Sequence, residues 1–229
     1  MNTRLLEIRQ GVLSKNDELA ASLREQFTQA GVLAINVVSA PGAGKTALLE
    51  KTIQALAEQG FKAAALVGDL ETDNDARRLA ETGVPVKQIR TAGNCHLEAH
   101  MIQDFIAGWN LGEFDFLFIE NVGNLVCPSN YDLGEALRVV LMSTTEGEDK
   151  PLKYPPMFNS SDVAVITKTD LAEAVEFDRE AALANIRKVH ADMPIFEVSA
   201  KRGSGMGVWL NFLISRCPKT RHAAANQLA

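Results

Sequence analysis

The chain has 229 residues, 46% hydrophobic and 23% charged, a length and makeup suited to one large domain with a well-buried core. Its net charge of −6 argues against a general nucleic-acid binder, which needs a basic face. No apolar run reaches the length of a membrane span, no signal-peptide core stands near residue 1, and Cys95, Cys127 and Cys217 are too few for a disulfide framework, so a reducing cytoplasm and no membrane are expected.

Residues 3–28 read as an amphipathic helix, with Leu5, Ile8, Val12, Leu19, Leu23 and Phe27 near one face and Gly31 at its end. Residues 1–30 are taken as a helix packed on the edge of a domain spanning 31–218, with 219–229 as a flexible tail. The sharper use of such a face is docking a partner. An apolar run from Val32 to Val38 then breaks into Ser39-Ala40-Pro41-Gly42-Ala43-Gly44-Lys45-Thr46 and resumes as a helix to Gln59, closed by Gly60. This is strand, phosphate loop, helix. Pro41, Gly42 and Gly44 keep bulk away from the turn, so backbone N–H groups from Gly42 and Ala43 through Ala47 can face a phosphate at the positive end of the helix. Lys45 is placed for the β and γ phosphates and as the electrostatic catalyst, and the Thr46 hydroxyl for Mg²⁺. One position departs from the usual pattern: Ser39 stands where Gly is common.

A second apolar run, residues 62–68, delivers Asp69 and the acidic loop to Asp75. Carboxylates just past the carboxyl end of a strand lie at the ligand edge of an open α/β sheet, so Asp69 and Asp75 are candidates for Mg²⁺ contact, and Asp75 also for orienting the attacking water. Helix capping competes for this stretch, with Asp73 or Asn74 opening a short helix from Ala76 to Glu81. After a strand at 86–89, residues 95–109 read as helix-like. Cys95 and His96 would then sit in its first turn, where the dipole favours a thiolate, and His96 and His100 would share a face.

Residues 114–119 form a strongly apolar strand ended by Glu120-Asn121-Val122-Gly123, with Cys127-Pro128 close behind. Glu120 is placed to hold a Mg²⁺-bound water and the Gly123 N–H to sense a γ phosphate. A strand at 137–142 leads to a polar, proline-rich loop, 144–159, in which Lys153 either contacts phosphate across a dimer or is simply solvated. The strand 162–166 delivers Thr167-Lys168-Thr169-Asp170. The Asp170 carboxylate suits the two N–H donors that distinguish guanine from adenine, and the Lys168 stem can cover the ring. A helix at 178–191 and a last strand at 195–198 precede Ser199-Ala200-Lys201, suited to a second base contact through backbone N–H. A helix over 206–217 closes the fold.

Taken in order at strand ends, the phosphate loop, ENVG, TKTD and SAK resemble GTPases of the signal-recognition/MinD/BioD class. GNCHLEAHM, IENVGNLVCP and STTEGEDKPLKYP narrow the resemblance, over about residues 30–215, to the HypB family of GTPases that help insert nickel into [NiFe]-hydrogenase. The resemblance implies a P-loop NTPase α/β fold, with a seven- or eight-stranded, mostly parallel sheet flanked by helices on both faces. It implies Mg²⁺-dependent GTP binding, slow hydrolysis to GDP, and nucleotide-controlled homodimerisation. It also implies a nickel or zinc site shared by two subunits, a nickel-binding zinc partner (HypA) and the hydrogenase large subunit downstream.

From spacing alone, a free cysteine is usually a small buried hydrophobe, and Cys217 is read so. The resemblance selects Cys95, His96 and Cys127 as Ni²⁺ or Zn²⁺ ligands, with His100 either an orienting group or a surface histidine. Two departures stand out. Thr167 replaces the Asn that usually opens the guanine motif, and residues 1–30 hold no Cys or His, which argues against an N-terminal nickel site. The competing readings are an accessory GTPase for another metalloenzyme, of urease type, and a non-enzymatic metal buffer, which the shortage of His and Cys disfavours.

Overall fold

The computed structural model describes residues 3–69, 73–91 and 93–220, with side chains from residue 11 onward. The expected positions of Leu5, Ile8, residues 70–72 and residues 221–229 lie outside what is described. Seven strands form one sheet in the order β3-β2-β4-β1-β5-β6-β7, and every neighbouring pair is parallel. They are β1 (Leu33–Ser39), β2 (Ala63–Asp69), β3 (Val86–Arg90), β4 (Phe116–Gly123), β5 (Leu137–Ser143), β6 (Val163–Thr167) and β7 (Ile195–Glu197). The central strands are buried along their whole length, as continuous Val/Ile/Leu/Phe runs require when helices cover both faces.

One face carries α2 (Lys45–Glu58), α3 (Asn74–Ala80) and α8 (Met206–Arg216), whose Leu48, Ile53, Leu79, Trp209 and Leu213 pack on alternate strand residues such as Ile35, Val37, Phe116 and Val139. The opposite face is shared. Here α1 (Thr3–Ala30) and α4 (Ala99–Ile106) lie on the alternate residues of β1, β2 and β4. Beside them α6 (Pro155–Asn159) and α7 (Arg179–Val189) cover β5 and β6. Helix α1 therefore lies over the sheet through Leu23 and Phe27, while Val12 is 47% exposed.

Three expected elements differ. Residues 144–159 are not a loop: a 3-10 turn at Thr144–Glu146, the short helix α5 (Lys150–Lys153) and α6 fill the stretch. Its prolines stand in the first turns of these helices, where the missing N–H costs nothing. Helix α4 begins only at Ala99, so Cys95 and His96 precede it and share no helix face with His100. Lys219 is anchored, its Nζ donating to the carbonyls of Phe114 (2.7 Å) and Gly112 (3.1 Å).

Because the strands are parallel, their carboxyl ends gather on one edge. That edge brings together Ser39, Asp69, Glu120–Gly123 and Thr167. Ser39 on β1 is in register with Gly123 on β4.

Candidate functional site

The phosphate loop turns through Gly42 (φ 76°) and Gly44 (φ 97°), both in the left-handed region that glycine tolerates. Gly44 caps α2 without a side chain over the helix end, so the first N–H groups of α2 remain available to an anion. Lys45 is buried, and its Nζ donates to Ser39 Oγ at 3.1 Å. Ser39, the departure from the usual glycine, thus holds the lysine over the loop. Burial lowers the Lys45 pKa, while Glu120 opposes the shift.

Glu120 is 2% exposed. Thr46 Oγ1 donates to its Oε1 at 2.8 Å, whereas its buried Oε2 has no hydrogen-bond partner among the described residues. Burial raises its pKa to about 7, against the pull of Lys45. A hard oxygen set of a hydroxyl and an incompletely satisfied carboxylate beside a phosphate loop fits Mg²⁺ chemically. Asp69 and Asp75 line the same cleft. Asp75 lies in the first turn of α3, and Arg78 from the next part of that helix also borders the loop. Asp73 stands at the N-cap of α3, as expected of one of the two candidates, but its carboxylate pairs with Arg77 instead of capping. At Gly123 an added Cβ would lie 3.0 Å from Pro41 Cα, so glycine lets this strand end approach the phosphate loop without displacing it.

A cavity of ≈ 240 Å³ adjoins the loop, lined by Gly44, Ala47, Lys168, Asp170, Ala200 and Lys201 among others. Lys168 adopts φ 57°, and its Nζ donates to the Gly42 carbonyl at 2.7 Å, which lays its stem across the loop. Thr167 Oγ1 donates to the Ala43 carbonyl at 2.6 Å. The threonine at the usual Asn position therefore braces motif against loop through its hydroxyl. Ser199 differs from its expected role: its backbone N–H is bonded to the Ser204 carbonyl, and its Oγ donates to Asp170 Oδ1 at 2.6 Å. That bond holds the Asp170 carboxyl below its ordinary range. The Ser199 N–H is thus already bonded within the chain, and its hydroxyl orients the Asp170 carboxylate. Lys153 stands apart, 60% exposed and paired with Asp149.

The soft donors meet at the same sheet edge. Among the described residues, Cys95, His96 and Cys127 form the one group of three whose ligand atoms lie within 4.8 Å of one another. The two sulfurs are 2.8 Å apart, well beyond a disulfide bond, and Cys95 Sγ lies 3.8 Å from His96 Nδ1. Cys95 lies ahead of the first turn of α4, so the expected stabilisation of a thiolate by that helix's dipole has no basis in the structure. The hydrogen bond to Cys127, aided by burial, pushes the Cys95 thiol up. Burial lowers the His96 pKa, which keeps the ring neutral and able to ligate. Its Nε2 lies 3.4 Å from Glu98 without hydrogen-bond geometry, and His100, half exposed, faces the other Glu98 oxygen at 3.4 Å. His100 contributes no atom to the cluster. Two sulfurs and one imidazole fit a borderline-soft cation such as Ni²⁺ or Zn²⁺ and leave positions open.

Several residues here escaped the sequence reading. Tyr131 stacks on His96 with ring centroids 3.9 Å apart. Asn121 Oδ1 accepts from the Leu97 N–H, and Asn124 Nδ2 donates to the Cys95 carbonyl, joining the Cys95–Leu97 segment to the end of β4. The only signal for Asn121 and Asn124 was their place beside Glu120 and Gly123.

Comparison with known proteins agrees with this geometry. Residues 33–197 match the family model described as CobW/HypB/UreG, nucleotide-binding domain. The hydrogenase maturation factor HypB of Azotobacter vinelandii is 48% identical over 92% of this chain and 69% of its own length. The hydrogenase/urease maturation factor HypB of Helicobacter pylori (strain ATCC 700392 / 26695) is 42% identical over 92% and 88%. The crystal structure of HypB from Helicobacter pylori in complex with nickel superposes with a TM-score of 0.83 at 41% identity, covering 91% of this chain and 96% of that one. With a phosphate loop, an adjoining cavity and a Cys/His cluster on one sheet edge, and at this level of identity, the chain belongs to the HypB family of P-loop GTPases.

Proposed function

We propose that this chain is a cytoplasmic, GTP-hydrolysing metallochaperone that assists nickel insertion during [NiFe]-hydrogenase maturation, working as a nucleotide-controlled homodimer. One observation carries the reading. The strand end that places Glu120 and Gly123 at the phosphate loop runs on within four residues to Cys127, which meets Cys95 and His96. A shift of Gly123 toward a γ phosphate therefore moves a metal ligand.

In this reading the N–H groups from Gly42 to Ala47 cradle the phosphates. Lys45 Nζ, now on Ser39, turns to the β and γ oxygens, and Asp170 reads the base beneath the Lys168 stem. Mg²⁺ would be held by Thr46 and Glu120, with Asp69 and Asp75 in reach directly or through water, and would neutralise the phosphate charge. A bound cation would favour the ionised Glu120, its charge offsetting the cost of burying the carboxylate. Asp75 is the group assigned to orient the attacking water, and Lys153 to reach phosphate across the dimer. The cargo is Ni²⁺, with Zn²⁺ as the competing ion. One chain supplies three donors, so a second copy or a HypA-like partner completes the coordination before transfer to the hydrogenase large subunit. The printed name of the Helicobacter relative includes urease, which favours as a second reading an accessory role toward that nickel enzyme.

The test is a Ni²⁺ titration of wild type and Cys127→Ala, each with GDP and with a non-hydrolysable GTP analogue, together with GTP turnover in wild type and Lys45→Ala. Expected are a Cys127-dependent affinity that changes with nucleotide, and a loss of turnover of about 10²–10³-fold in Lys45→Ala. Equal Ni²⁺ affinity in all four titrations, or full turnover in Lys45→Ala, refutes the proposal.

A further inference from the structure

The metal donors lie on two separate segments. Cys95 and His96 precede α4, and Cys127 follows β4. Both segments are tied to a third element, α1, through one buried side chain. Asn16 is 6% exposed. Its Oδ1 accepts from the N–H of Ala99, the first residue of α4, at 2.9 Å, and its Nδ2 donates to the Asp132 carbonyl at 2.8 Å. Glu98, at the N-cap of α4, makes no side-chain cap, so Asn16 caps this helix from outside. On the Cys127 side, Arg24 of α1 donates twice to the Asp132 carboxylate, at 2.7 and 2.6 Å. The chain also passes α1 so closely at Gly134 that a Cβ would lie 2.7 Å from the Ala20 carbonyl oxygen. Tyr131, next to Asp132, carries the ring stacked on His96.

We infer that Asn16 is a positioning residue of the metal site: α1, through this amide, holds the segment of Cys95 and His96 against the segment of Cys127, adding to the direct Asn121 and Asn124 bonds between them. The inference rests on the reading of these three residues as metal ligands. An asparagine suits the task because one planar group offers a donor and an acceptor at fixed separation, and both partners are backbone groups, the Ala99 N–H buried and the Asp132 carbonyl part-buried. Two consequences follow. Weakening the tie lowers metal affinity, because the ligands must then be ordered by the metal itself. By linkage, a bound metal tightens the tie and slows opening of α1. The N-terminal helix is thereby a component of the metal site although it contains no ligand.

The test uses the full chain and NiSO₄. Asn16→Leu removes donor and acceptor at similar volume; Thr52→Val, which removes the buried bond from Trp209 Nε1 to Thr52 Oγ1 on the other face of the sheet, serves as a destabilised control. Asn16→Leu is expected to bind Ni²⁺ about tenfold more weakly, at the low end for loss of outer groups around a metal, with GDP affinity within twofold of wild type. Thr52→Val is expected to retain wild-type Ni²⁺ affinity despite a lower Tm. Ni²⁺ affinity in Asn16→Leu within twofold of wild type overturns the inference, since a packing role alone lowers only Tm. Hydrogen exchange on wild type supplies a measurement independent of the variant's folding: Ni²⁺ should slow exchange at the Ala99 amide and along α1, and unchanged exchange overturns the inference. Cys127→Ala separates the two levels. If it binds Ni²⁺ like wild type, the ligand reading fails and this inference with it; if binding needs Cys127 but not Asn16, only this inference fails.

Discussion

Glu120 offers a sharp test of the nucleotide site because its burial works against the fold. Its pKa rises from 4.5 to about 7 on folding, chiefly through desolvation. The unfolded chain therefore releases this proton at a lower pH than the folded one. Between these two values the folded state binds more protons, so stability falls as pH rises through the window and stays low above it. The full difference corresponds to about 3 kcal/mol, a substantial part of the stability of an ordinary domain. Glu120→Gln retains an acceptor for Thr46 Oγ1 and cannot ionise. The ion-free, nucleotide-free variant should therefore be more stable than wild type by up to about 3 kcal/mol at pH 8. The gap should shrink as pH falls to 4.5 and close below it, where the wild-type carboxyl becomes protonated in both states. Denaturant titrations of both proteins from pH 5 to 8 measure it. If Glu120 holds the cation as proposed, the same variant should bind Mg²⁺·GTP more weakly, an exchange of stability for function. Parallel stability curves, with a gap that does not grow with pH, would refute the assignment of Glu120 as a proton-holding buried carboxyl.

Three further outcomes are expected. Ser199→Ala should lower the preference for GTP over ATP about tenfold, as the carboxylate loses one oriented bond of about 1.5–3 kcal/mol, and competition binding of the two nucleotides reads this directly; an unchanged ratio removes Ser199 from base recognition. Thr167→Val should weaken GDP binding by freeing the Ala43 carbonyl, at a cost of about 1–3 kcal/mol, while Thr167→Asn should restore it, as isothermal titration would show. Gly123→Ala should leave GDP binding near wild type but weaken a GTP analogue, because the added Cβ presses on Pro41 and pushes the strand end from the γ-phosphate position. Equal losses for both nucleotides would place Gly123 outside γ-phosphate sensing.

Where the sequence reading failed, the reasons are physical. Apolar periodicity carried the 95–109 helix too far back, because Ala99, Ile102 and Ile106 set a helical face to which Cys95 happens to conform. Residues 144–159 read as loop because Pro151, Pro155 and Pro156 are breakers inside a helix yet favoured in its first turn. Ser199 was assigned by its backbone, but only the turn back to Ser204 showed that this N–H is already bonded.

The sequence by itself determined the strand–loop–helix at Ser39–Thr46 and the carboxylates at strand ends, whereas the parallel sheet and the choice of Cys95, His96 and Cys127 as soft donors came from the family resemblance. The loop and the carboxylates follow from local chemistry, since apolar runs, glycines and charged residues at their ends act over a few residues. Only the tertiary structure decided which distant groups meet. The orphaned Glu120 oxygen, the Lys45–Ser39 and Thr167–Ala43 contacts and the Asn16 tie each join parts of the chain whose spacing carries no periodic signal. A buried polar pair is specified by where two elements pack, and neither residue alone announces its partner.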